Sequence, residues 1–152
     1  MTTTLKQRLR DDLTSAIRAR DELRSATIRL TLTAVTKEEV SGTAARELSD
    51  EEVLKVIGRE AKKRREAAEA FAQGGRTESA ERERAEGEVL AEYLPKQLGD
   101  EELAVIVREA VAESGAEGPR GMGAVMKIVS PKVAGLAEGG RVAAEVKRQL
   151  AG

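Results

Sequence analysis

Residues 121–140 read GMGAVMKIVSPKVAGLAEGG. Glycines and one proline interrupt short apolar stretches, which is the punctuation of small helices meeting at tight corners. The spacing predicts a helix opening near Gly121, carrying Val125, Met126, Ile128 and Val129, and stopped by Pro131. A second helix is expected from about Gly139-Gly140, with Val142, Ala143, Val146 and Leu150 along it. Upstream, Asp100-Glu101-Glu102 opens a helix holding Leu103, Ile106, Val107 and Ala110, with acids near its positive end and Gly115 to close it. These three short helices make a compact C-terminal module.

Working back toward the N-terminus, the residue before a proline is biased to extended geometry, so Tyr93-Leu94-Pro95-Lys96-Gln97-Leu98 is expected to separate two domains, 1–94 and 95–152. The first is expected to hold about four helices. Leu5, Leu9, Leu13 and Ile17 fall four apart and form the stripe of the first, widened by Ala16. Over Thr27–Val35, Ile28, Leu30 and Leu32 alternate with Arg and Thr as in a strand, but helical spacing also works, with Ile28, Leu32 and Val35 on one flank and Leu23, Leu30 and Ala34 near another, and a helix is expected. Ser49-Asp50-Glu51-Glu52 is a capping box opening a third helix, with Val53, Ile57, Ala61, Ala68 and Phe71 as its stripe and Gly74-Gly75 as its stop. Lys62, Lys63, Arg64 and Arg65 form a basic run inside it, and Arg64 falls on the stripe, where its stem can pack while the guanidinium reaches solvent. A fourth helix is expected from about Thr77 to Tyr93.

A chain of 152 residues without cysteine or histidine has no disulfide, no thiol nucleophile, no imidazole acid or base and no zinc site of the usual ligands. No segment has the composition of a membrane span or a secretory leader, so a cytoplasmic location without membrane attachment is expected. The 26 basic and 27 acidic residues nearly cancel, but not locally. Residues 96–119 hold two basic and six acidic side chains, and residues 120–152 hold six basic (Arg120, Lys127, Lys132, Arg141, Lys147, Arg148) and two acidic. A basic end of this kind is a modest footprint for phosphate contacts. Phe71 and Tyr93 are the only aromatics, both expected in the core or at the boundary, so base stacking is a poor recognition mode for this chain.

Gly118-Pro119-Arg120-Gly121-Met122-Gly123 ahead of a helix admits two readings. Gly121 and Gly123 can let backbone amides approach a phosphate, with Arg120 and Lys127 nearby, or they mark a plain helix start packed closely on its neighbours. It is not a nucleotide-binding P-loop, since the Gly-Lys-Ser/Thr ending and the preceding strand are missing. Carboxylate pairs Asp11-Asp12, Glu38-Glu39 and Glu51-Glu52 are expected to face solvent or to sit at helix ends, and none has metal-site spacing. No catalytic constellation and no cofactor are read from the chain.

Met122-Gly123-x-Val125-Met126-Lys127, Pro131-Lys132-Val133-x-Gly135-x-Ala137-x-Gly139 and Tyr93-Leu94-Pro95-x-Gln97-Leu98 resemble the signature of the GatB/YqeY family, and the similarity runs along essentially the whole chain. The resemblance implies an all-α fold with a larger N-terminal helical domain and a three-helix C-terminal domain. It also implies a relationship to the tRNA-binding tail of the B subunit of tRNA-dependent amidotransferases, a family labelled with carbon-nitrogen ligase activity using glutamine as amido donor. Ala134 and Leu136 stand where many relatives carry basic residues. The expected function is a non-catalytic tRNA-binding module, using Arg120, Gly121, Gly123, Lys127, Lys132, Arg141, Lys147 and Arg148, with Lys62–Arg65 as a secondary contact. The alternatives are an adaptor docking on an amidotransferase or synthetase, and a component that is catalytic only in complex.

Overall fold

A computed structural model describes residues 3–152, and these fold as seven α-helices with no strand among them. The helices pack as two compact units, one ending at Leu94 and the other spanning Pro95–Gly152. No helix among the described residues is long and apolar enough to cross a membrane.

The first unit holds α1 (Leu5–Arg18), α2 (Glu22–Glu39), α3 (Asp50–Gln73) and α4 (Thr77–Ala91). Thr4 caps α1 by accepting from the Gln7 amide, and Asp21 caps α2 by accepting from the Arg24 amide. At α3 the full reciprocal box forms, with Ser49 Oγ accepting from Glu52 N–H and Glu52 accepting from Ser49 N–H. Leu9, Ile28, Val35, Val53, Ile57 and Leu90 are fully buried together. Thr27–Val35 resolves as helix. Ile28, Thr31 and Val35 face inward, and Thr31 satisfies its hydroxyl by donating to the Thr27 carbonyl at 2.9 Å, which is what makes a threonine tolerable in the core. Two apolar residues of the expected stripes turn outward: Ile17 is 52% exposed at the end of α1, and Leu30 is 50% exposed on α2.

The second unit holds α5 (Asp100–Ser114), a 3-10 turn (Pro119–Gly121), α6 (Met122–Val133) and α7 (Gly139–Leu150), each helix packing on the other two. Its core is Leu103, Val107, Val125, Val129, Val133, Val142, Val146 and Leu150. Burying each such side chain contributes about 1.5–3 kcal/mol. Pro131 does not stop α6, which runs through it to Val133. Val125, Val129 and Val133 lie four apart and are all buried, so core packing holds the last turn helical in spite of the lost proline donor.

Candidate nucleic-acid interface

The outer surface of the second unit follows from its valines. With Val125, Val129 and Val133 inward, Gly123, Lys127, Ser130 and Lys132 lie on the outside of α6. With Val142, Val146 and Leu150 inward, Ala144, Lys147 and Arg148 lie on the outside of α7. Arg120 projects from the 3-10 turn. Arg120, Lys127 and Lys147 are exposed and have no carboxylate partner among the described residues.

The other cations of the basic end are engaged to different degrees. Lys132 lies 3.6 Å from Glu113 of α5, an exposed and loosely held pair. Arg148 grips Glu145 with two donors, Nε at 2.9 Å and Nη2 at 2.6 Å. That grip, with a further bond from Gln149, holds the Glu145 carboxyl below the usual carboxylate range. Arg141 is half-buried and donates to the Leu98 carbonyl at 3.0 Å and to Asp100 at 2.9 Å, so its guanidinium fastens the start of α7 to the start of α5.

The two glycines at the start of α6 differ. A side chain on Gly121 would place its Cβ 2.4 Å from the Cβ of Ala116, so Gly121 is demanded by close packing inside the unit. Gly123 is exposed with nothing within 4 Å of a virtual Cβ, leaving the first turn of α6 open to solvent. The more distinctive sequence segments meet each other: Leu98 N–H donates to the Leu136 carbonyl at 2.8 Å, and Gln97 Nε2 donates to the Gly135 carbonyl at 3.1 Å. Gly135 has φ 76, the left-handed geometry that favours glycine, so the Ala134–Ala137 corner and the Gln97-Leu98 strap form one clasp. Ala134 is exposed, while Leu136 is half-buried and uses both of its main-chain groups, donating to Val133 and accepting from Leu98.

In the first unit the Lys62–Arg65 run is largely turned to carboxylates. The Arg64 guanidinium is held by three carboxylates, Glu60 at 3.7 Å, Glu83 at 3.5 Å and Glu86 at 3.6 Å, with only part of the side chain exposed. Lys63 pairs with Glu60 at 3.0 Å, Lys62 lies 3.9 Å from Glu66, and Arg65 is also engaged. Of the carboxylate pairs expected to face solvent or to sit at helix ends, Glu39 is drawn inward, Glu52 sits at the start of α3 and Asp12 stays partly exposed. Asp12 accepts from the Tyr93 hydroxyl under Arg8, which lies 4.7 Å from the ring centre. Burial, followed by this bond, pushes the Tyr93 hydroxyl pKa up. Glu39 accepts from Lys6 Nζ at 2.8 Å and from Leu48 N–H at 3.1 Å. Glu52 is held by Arg46 and by the Ser49 amide, which bring its carboxyl down to about 2. Arg8 stands one turn before Asp12, at 3.9 Å, but the Asp12–Tyr93 and Glu39–Lys6 bonds join residues 81 and 33 apart and leave no local signal in the sequence. Among the described residues no group of three or more acidic side chains is placed to hold a metal ion.

Comparison with the curated proteins finds no match. The family model described as Yqey-like protein matches residues 6–150, nearly the full length, and the chain therefore belongs to the Yqey-like protein family.

Proposed function

We propose that the second unit binds the phosphate backbone of folded RNA, with tRNA as the RNA that the family resemblance favours. The observation that carries this reading is the set of exposed, unpartnered cations Arg120, Lys127 and Lys147 on a unit whose core is otherwise closed by valines. Lys132, whose pair with Glu113 is exposed and weak, joins them at little cost. Phe71 is half-buried beside Arg76 and Tyr93 is buried, so recognition would rest on backbone shape rather than on stacked bases. We take the chain to be a binding module and not a transamidase by itself. Ligation with glutamine as donor needs a glutaminase nucleophile and a site that activates a carboxylate, and a chain without cysteine or histidine has no thiol or imidazole to offer.

The test is a titration of unfractionated folded tRNA at several salt concentrations, with a Lys127→Ala/Lys147→Ala variant alongside. With three to four phosphates neutralised, log K is expected to fall with log salt at a slope of about −2 to −3.5. The variant should weaken binding by about 10-fold or more at low salt and flatten that slope by roughly two charges. Absence of binding by the wild-type chain at about 50 mM salt would overturn the RNA reading. Attention would then pass to a protein partner docking on the same unit.

A further inference from the structure

Arg148 has the most exposed side chain among the ion-paired cations of the second unit, at 68%, and would be the natural bidentate phosphate ligand. One edge of its fork is nevertheless occupied. Nε and Nη2, one of the two edges a guanidinium offers to a phosphate, already face the two oxygens of Glu145 at 2.9 and 2.6 Å. Glu145 is not a loose surface acid. Its side chain is only 16% exposed, and Gln149 Nε2 donates to its Oε2 at 2.8 Å while also donating to the Ala104 carbonyl of α5 at 2.9 Å. The carboxylate is thereby tied to two helices and presented to Arg148 as a fixed anion. Lys132 shows the contrast: its single contact with Glu113 is longer, at 3.6 Å, and both side chains are about half-exposed or more.

We infer that Glu145 is a built-in competitor for the RNA phosphate, holding Arg148 out of the binding surface and setting the affinity of the unit below what its charge count implies. This rests on the RNA-binding reading above. A phosphate taking the Nε–Nη2 edge of Arg148 must displace a carboxylate that Gln149 keeps in position, and one approaching the Nη1 end meets a guanidinium already neutralised by that carboxylate, so Arg148 contributes little in the native chain. It becomes a full bidentate contact once the carboxylate charge is removed.

The experiment is a double-mutant cycle on the intact chain, with unfractionated tRNA as the probe at fixed low salt: wild type, Glu145→Gln, Arg148→Ala and the double variant. Glu109→Gln, the same charge change at an exposed position of α5, serves as the control for bulk electrostatics. Arg148→Ala alone is expected to weaken binding less than about 2-fold, and Glu145→Gln to tighten it about 3- to 5-fold, more than Glu109→Gln does. In the Arg148→Ala background the gain from Glu145→Gln should shrink to that of the control. Wild-type binding with an additive cycle, or a large loss from Arg148→Ala alone, overturns this inference and leaves the RNA reading standing. No binding by any of the chains overturns both. Circular dichroism on each variant checks that α7 stays folded.

Discussion

The α3–α4 hairpin beyond Ile57 and the three-helix second unit both carry basic residues, and they dispose of them in opposite ways. In the hairpin the buried positions are Glu60, Ala68, Ala80 and Glu86, followed only near its base by Val89 and Leu90. A seam of alanines and glycine is thin, so the stem of Arg64 and the carboxylates of Glu60, Glu83 and Glu86 fit between the helices and hold them together. In the second unit branched valines fill the interior, and a full interior leaves long cations outside. Of the denser basic cluster only Arg64 is drawn into the seam, while Lys62, Lys63 and Arg65 stay exposed beside their partners. Charge density along a chain measures potential binding, and packing decides how much of it faces a partner.

Removing the guanidinium at the middle of the hairpin is the strongest way to break this contrast. Arg64→Ala removes the cation shared by Glu60 and Glu86, 7% and 8% exposed, and leaves each only its own outer partner, Lys63 at 3.0 Å and Arg82 at 3.2 Å. Full burial would cost about 3–5 kcal/mol; Arg64 keeps 19% of its side chain exposed, so about 2–3 kcal/mol is expected. Hydrogen exchange should locate the loss in α3 and α4 and leave α5 to α7 unchanged. The sharpening variant is Arg64→Met with Glu60→Leu and Glu86→Leu, which converts the seam to apolar packing like that of the second unit. Its stability should return to the native value or exceed it, since buried ion groups are often replaceable by apolar residues of similar volume. A triple variant as unstable as Arg64→Ala would show that apolar side chains cannot take the place of the ion network in this thin seam, and would break the equivalence with the second unit.

The second-largest effect is expected at the start of α6. Gly121→Ala would place a methyl 2.4 Å from Ala116 Cβ and 3.3 Å from its Cα. Ala116 is held by the hydrogen bond its backbone N–H donates to Ser114 Oγ at 3.0 Å, so the strain moves backbone rather than a flexible side-chain tip. About 1–3 kcal/mol of destabilisation is expected, read as a lower melting temperature and faster exchange in α6. If tRNA affinity falls while stability does not, close approach of a ligand at Gly121 becomes the better account of that glycine than packing.

Much of this architecture is legible in the sequence because it is local. Ser49 and Glu52 declare a helix start three residues apart, Gly115 with φ 66 ends α5, and the valines of α6 and α7 repeat every fourth residue. Pro131 misleads because a local rule about proline is outweighed by two valines that pack beyond the helix itself. The site is less legible, since what separates Arg141 from Lys127 is a partner far along the chain. Leu98 and Asp100 lie 43 and 41 residues from Arg141, and Glu83 lies 19 from Arg64. Arg148 is different again: Glu145 stands three residues before it, a readable helical ion-pair spacing that marks this cation as engaged.

Gly87 tests the thin-seam explanation with the smallest change. It lies inside α4 on the inner side of the hairpin, where a virtual Cβ would meet the Cβ of Arg64 at 3.8 Å, an ordinary van der Waals distance. Two terms then compete. Helix propensity favours alanine over glycine by about 0.8–1 kcal/mol in a helix interior. Against it stands any displacement of the Arg64 stem, whose three carboxylate contacts at 3.5–3.7 Å are long enough to tolerate a shift of a few tenths of an ångström. Propensity should win, so Gly87→Ala is expected to stabilise the hairpin by about 0.5 kcal/mol in equilibrium denaturation, with the opposite sign to Gly121→Ala. A destabilised Gly87→Ala chain would mean that the seam is already full at Arg64, and that the inward turn of its guanidinium is forced by crowding rather than permitted by room.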